Sequence, residues 1–92
     1  MGLGHNTFYM NTDSGNRINK VISSIKRLRL EKDYTQDYMA MKLNISQNAY
    51  SKIELSYTKI TIERLFQIAE ILEINPMELL DADTEEGDNH FF

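Results

Sequence analysis

The sequence contains no cysteine, which excludes a disulfide framework and any thiolate-held metal site. Its one proline and four glycines are too few for a linker-rich or fibrous chain. No stretch approaches the roughly 18 consecutive apolar residues of a membrane span. The first 15 residues have neither a basic start nor an apolar run of about 7–15 residues, so they do not read as a secretory signal. These absences point to a cytoplasmic protein without a membrane partner. The two histidines, His5 and His90, stand at opposite ends of the chain, and two histidines without cysteine do not make a zinc site. There is no glycine-rich phosphate loop and no nucleophile elbow. The adjacent acids Glu85 and Glu86 belong to a solvated run. The reading is of a non-enzyme with no metal and no cofactor.

What is present is enough for one domain with a modest helical core, since 92 residues leave no room for two. The net charge of −4 hides an uneven distribution. Residues 1–59 carry nine Lys or Arg against five acids, an excess of +4, whereas residues 60–92 carry only Arg64 against nine acids, an excess of −8. A local basic face attracts phosphates whatever the total charge. Composition therefore permits nucleic-acid binding without establishing it.

Along the chain, residues 1–15 show no amphipathic period and read as a flexible N-terminal arm. Residues 82–92 form an acidic tail ending in Phe91 and Phe92. The folded unit is expected at 16–81, with five helices. Ile18, Val21, Ile22, Ile25 and Leu28 recur at helical spacing behind Asn16, a candidate N-cap. Thr35 caps a second segment holding Met39, Ala40 and Leu43, with Met41 at its edge. Ser46 caps a third, with Ala49, Tyr50 and Ile53 as its apolar residues. Thr61 caps a fourth, with Ile62, Leu65, Phe66, Ala69 and Leu72 on one side and Ile68 and Ile71 flanking; it is expected to be the most buried. Asn75 followed by Pro76 opens a short fifth helix ending near Asp81. No core segment alternates with period two. The fold class is all-α.

The second and third segments have the makings of a helix-turn-helix, whose second helix fits the roughly 12 Å major groove. Ala40 allows close crossing, Met39, Leu43, Ile45, Tyr50 and Ile53 supply the seam, and Asn44 tolerates a left-handed turn. At 100° per residue, Gln47, Asn48, Ser51, Lys52 and Leu55 occupy an arc of roughly 140° opposite Ala49, Tyr50 and Ile53. Amides can bond adenine bidentately and lysine can reach guanine acceptors. Periodicity alone leaves two readings open: a base-reading surface or a merely solvated face.

Residues 25–80 resemble the lambda-repressor-like family of Cro, phage repressor and XRE-type regulators. The likeness rests on the TQ opening (Thr35, Gln36), the SKIE run (Ser51 to Glu54) and the closing NPMELL (Asn75 to Leu80). It implies a compact five-helix domain that binds double-stranded DNA, usually as a homodimer. Carried over by position, it implies base contacts from Gln47, Asn48, Ser51 and Lys52. It implies phosphate contacts from Gln36, Ser46, Tyr57 and Lys59, and an internal ion pair between Arg29 and Glu54. The chain departs from the family where Asn44 and Ser56 replace glycine and Ile60 replaces a frequent proline. Tyr50 replaces a branched aliphatic residue; its ring is expected to pack inward with the hydroxyl at the rim.

The expected function is that of a transcriptional repressor acting as a homodimer on a palindromic operator. Two other readings stand beside it. One is an antitoxin whose tail or fifth helix also binds a toxin, and the other a protein-interaction module that no longer binds DNA. The tails, through Phe8 and Tyr9 or Phe91 and Phe92, and the fifth helix are the candidate surfaces for a protein partner.

Overall fold

The computed structural model describes the backbone of residues 2–81 and the side chains of residues 15 and 17–81. Among the described residues there are five helices and no strand: α1 (Gly2–Glu31), α2 (Gln36–Leu43), α3 (Gln47–Glu54), α4 (Ile62–Leu72) and α5 (Pro76–Leu80). The calls on His5, His90, Phe8, Tyr9, Phe91 and Phe92 lie outside the described side chains.

Four of the five starts follow from one device, a short polar side chain that accepts from an otherwise unpaired amide of the first turn. Thr35 Oγ1 accepts from Tyr38 N at 2.9 Å, and Ser46 Oγ from Ala49 N at 3.0 Å. Thr61 Oγ1 accepts from Arg64 N at 3.0 Å, and Asn75 Oδ1 from Met77 N at 2.9 Å. Pro76 at the first position of α5 needs no amide partner. The exits share a device too. Asp33, Asn44, Ser56 and Glu73 all take φ near +61°, the left-handed region that turns a chain out of a helix. None of them is glycine: Ser56 and Glu73 each carry a backbone cost of roughly 1–2 kcal/mol, whereas Asp33 and Asn44, with short polar side chains that suit this region, carry less.

α1 differs from its expected extent. Its backbone runs from Gly2, so Asn16 is an interior residue and not a cap. No proline interrupts residues 2–30, and an interior glycine such as Gly15 costs only about 0.5–1 kcal/mol, too little to end a helix by itself.

α4 is the centre of the domain, packing on α1, α2 and α5. Its buried stripe is Leu65, Ile68, Ala69 and Leu72, with Ile71 half-buried. Ile62 and Phe66, expected on that stripe, are instead 64% and 52% exposed. At 100° per residue the buried four span about 100°, and Phe66 lies about 110° from their midpoint. A helix apolar over most of its circumference offers several candidate stripes, and its neighbours decide which is covered. Around α4 the core gathers Ile22 and Ile25 from α1, Met39, Ala40 and Leu43 from α2, Tyr50 and Ile53 from α3, and Leu79 from α5. Burying each large apolar side chain is worth about 1.5–3 kcal/mol.

Candidate nucleic-acid interface

α2 and α3 share the most extensive contact of any helix pair among the described residues. Ala40, 2% exposed, is buried in the core on α2. Asn44 takes φ 60° and ψ 44°, and the chain then turns back: Asn44 N donates to Met41 O at 3.1 Å and Ile45 N to Ala40 O at 3.0 Å. The turn therefore costs α2 few unpaired carbonyls, and Ser46 starts α3 at once. The result is a helix, a three-residue turn and a second helix with a fixed crossing.

α3 is divided lengthwise. Tyr50 and Ile53 are buried and Ala49 is half-buried, whereas Gln47, Asn48 and Lys52 are exposed and Ser51 is half-buried on the flank between them. Leu55, the cap residue, is also exposed. Amide groups and one cation thus share a single accessible side of a rigidly seated helix. Lys42, Ser46, Tyr57 and Lys59 are exposed as well. Ser46 uses its oxygen as the cap acceptor, which leaves its hydroxyl proton available as a donor.

The inner side of α3 is held by a polar cluster centred on Glu54. Arg29 donates to both carboxylate oxygens, Nε to Oε2 at 2.7 Å and Nη2 to Oε1 at 3.1 Å. Gln36 Nε2 donates to Oε1 at 3.0 Å, and Tyr50 Oη donates to Oε2 at 2.6 Å. Arg29 Nη1 donates to the carbonyl oxygen of Tyr34 at 2.8 Å. The carboxylate accepts four bonds, its full complement, and one group ties together α1, α2 and α3. With side-chain exposures of 8% and 3% for Arg29 and Glu54, this is an internal pair and not a screened surface contact.

The electrostatics follow from that geometry. Burial alone would push the Glu54 carboxyl up, but the hydrogen bonds from Arg29, Tyr50 and Gln36, with the charge of Arg29, outweigh it and hold the group below the usual carboxylate value. The bond to Glu54 raises Arg29 further above its ordinary value, against a smaller opposing effect of burial. Burial, and next the bond to the Glu54 carboxylate, push the Tyr50 phenol well above its ordinary range. Tyr50 is therefore a neutral, permanent donor.

One sequence expectation changes here. The Tyr50 hydroxyl does not reach the rim; the residue is fully buried, because a buried phenol must find an acceptor and Glu54 one turn later provides it. Gln36 is half-buried and spends one amide hydrogen on Glu54, a bond that uses neither its second amide hydrogen nor its carbonyl oxygen. The sequence reading missed Tyr50, Gln36 and the Tyr34 carbonyl as members of the cluster. An i, i+4 Tyr–Glu pair on the inner side of α3 is the signal that would have found Tyr50; a side chain 18 residues away and a backbone acceptor leave none.

The helix-turn-helix family model matches residues 25–79, more than half of the chain. This protein belongs to the helix-turn-helix family of lambda-repressor-like, XRE-type proteins. No curated protein and no solved structure gives a significant match. The matched segment begins and ends on fully buried residues, Ile25 and Leu79, and holds all of the core cluster except Ile22. Membership makes the chain one of a family of DNA-binding transcription regulators, a family that is not typically enzymatic. Among the described residues of this helix-turn-helix protein, no helix is long and apolar enough to cross a membrane. No group of three or more His, Cys, Asp or Glu among them could hold a metal ion.

Proposed function

We propose that the protein is a sequence-specific regulator that binds duplex DNA as a homodimer on a palindromic operator and represses by occlusion, in the cytoplasm. The observation that carries this reading is the side of α3 that remains accessible: Gln47, Asn48 and Lys52 outward, on a helix whose inner side is fully committed. Gln47 and Asn48 have the paired donor and acceptor that adenine requires, and Lys52 the donors that guanine requires, with Ser51 beside them. Gln36, Ser46, Tyr57 and Lys59 flank this surface as donors to phosphate, which position the protein without reading sequence. The dimer follows from discrimination. One helix reads only a few base pairs at about 1–3 kcal/mol per mismatch, and two copies about 34 Å apart on one side of the duplex double that total. The exposed apolar side chains of α4 and α5, Ile62, Phe66, Met77 and Leu80, supply surface for self-association.

Selection of bound fragments from random duplexes tests the reading. The expected product is a set of inverted half-sites about one helical turn apart, bound by a species that sediments as a dimer. Gln47→Ala is expected to relax preference at one position of each half-site. Lys59→Ala is expected to weaken all duplexes alike and flatten the salt dependence by about one unit of log–log slope. Absence of any salt-dependent affinity for duplex DNA would reject the proposal.

A further inference from the structure

The loop that follows α3 is fastened to the N-terminal half of α1. Ser56 Oγ donates to Asn19 Oδ1 at 3.2 Å, across 37 residues of sequence. Between loop and helix lies a groove of about 650 Å³, within the size range that holds a small organic ligand. Its floor is apolar, built from Ile18, Ile22 and Ile60 with Tyr57 beside them. Ile18 and Tyr57 are 50% and 75% exposed, so apolar surface here meets water. Among the described residues that line the groove, Lys59 is the only charged one. Ile18, Asn19 and Ile22 precede the segment that the family model covers, so the family likeness does not account for it.

Such a groove suits an apolar group that brings negative charge with it. The chain itself carries one. Residues 82–92 hold Asp83, Glu85, Glu86 and Asp88, no Lys or Arg, and then Phe91 and Phe92. Each ring has about 150–250 Å² to bury, and the acids before the rings complement Lys59. Reach is sufficient. Phe91 lies ten residues beyond Asp81, about 33–36 Å of extended chain, against 31 and 19 Å for the two shorter dimensions of the molecule. α5, from which the segment departs, packs on α1, the helix that forms one wall of the groove. The tether also holds the rings at an effective concentration of about the millimolar range, so a contact too weak for a free peptide is enough. A second exposed apolar surface, Ile62, Phe66, Met77 and Leu80, is nearer in sequence, but along α4 and α5 it is interspersed with exposed Glu63, Glu70, Glu73 and Glu78. Like charge turns the acidic segment away from that surface and towards Lys59.

We infer that the groove between α1 and the α3–α4 loop is the docking site of the chain's own acidic segment, with Phe91 and Phe92 over Ile18, Ile22 and Ile60 and the acids beside Lys59. The docking does not depend on duplex binding. Its consequence rests on that proposed function, in which Lys59 donates to phosphate. A docked segment then competes with DNA for the same cation, and the undocked fraction sets the affinity of the chain.

The full chain provides the test. Phe91→Ser combined with Phe92→Ser leaves every charge in place, so a general effect of acidity on DNA affinity cannot account for its outcome. In the free wild-type chain, NMR is expected to show nuclear Overhauser contacts from the Phe91 and Phe92 rings to the methyl groups of Ile18, Ile22 and Ile60, at shifts independent of protein concentration. The double variant is expected to lose these contacts and to shift those methyls. It is also expected to bind operator and random duplex about threefold more tightly, as when about two thirds of wild-type molecules are docked. Gly15, at the open end of the groove, gives a second variant. A side chain added there meets no atom within 4 Å, and any residue but proline suits a helix better than glycine. Gly15→Glu is expected to weaken the ring–methyl contacts and Gly15→Lys to strengthen them. Equal responses to the two would overturn the inference. Ring contacts to Phe66 or Met77 would overturn it as well, as would shifts of the three isoleucine methyls that follow concentration, which would put a second copy in the groove. A wild-type chain that shows the ring contacts and binds no duplex would sink the proposed function alone. One that binds duplex and shows no ring contacts would sink this inference alone.

Discussion

α3 and α4 are built alike and present opposite surfaces. Each starts from a hydroxyl cap, Ser46 or Thr61, and each is left through a non-glycine residue in the left-handed region, Ser56 or Glu73. Each buries one stripe in the common core. They differ in what anchors them and in what they leave outside. α3 is held by a polar cluster on Glu54 and exposes amides and Lys52. α4 is held inside by an apolar stripe, has only an exposed ion pair from Glu73 to Lys32 at its exit, and exposes Ile62 and Phe66 between acidic Glu63, Glu70 and Glu73. The common construction makes the fold, and the uncovered sides separate the two roles.

The comparison can be broken at its anchors. Glu54→Gln is expected to cost about 3–5 kcal/mol by stranding the Arg29 charge, a loss of 10 °C or more in Tm for a domain this small. An unchanged Tm would mean that the cluster is decorative. Because the folded-state value of Glu54 lies below its unfolded value, the unfolded chain takes up the proton first as pH falls. The stabilisation is fully present above the ordinary carboxylate range, about 4.3, and is lost as pH drops through the lower folded value. Acid titration of wild type and Glu54→Gln should therefore converge below that window. Leu72→Ala in α4 is expected to cost about 2–5 kcal/mol, with no such convergence, since no proton is involved. Should Leu72→Ala also lose its penalty in acid, the contrast between a polar and an apolar anchor would fail.

The exits give a smaller and opposite effect. Replacing Ser56 or Glu73 by glycine is expected to stabilise the domain by about 1 kcal/mol each, by relieving the left-handed strain, measured as denaturant midpoints. Glu73→Gly should leave DNA affinity unchanged. Ser56→Gly also removes the bond to Asn19, so it should gain stability and lose a little affinity. A gain in both would argue that the loop is not part of the interface.

Much of this was legible in the sequence, for local reasons. Thr35, Ser46, Thr61 and Asn75 announce helix starts because capping is a contact within three residues, and Asn44 announces its turn through its own backbone preference. The division of α3 was legible because its apolar residues are few and fall on one side. α4 was misread at Ile62 and Phe66 for the opposite reason: with apolar residues nearly all round, nothing in the period says which stripe its neighbours will cover. The extent of α1 was missed because a helix without an apolar stripe has no periodic signature. The Tyr50 bond to Glu54 was open to reading as an i, i+4 pair and was overlooked, whereas the Gln36 bond to Glu54 and the Ser56 bond to Asn19 depend on where the finished core places each group, which no local pattern encodes. The base and phosphate contacts assigned to individual residues stand as proposals, since they concern a second molecule.

The four-bonded carboxylate on the inner side of α3 has a consequence for the DNA. A helix tied at one group to two others cannot roll to improve a poor fit without opening several bonds together. Mismatch in shape must then be absorbed by the duplex, through bending or a change in groove width, and steps that deform easily will be preferred even where no side chain touches them. A stiff reader makes the mechanical softness of its target part of the message.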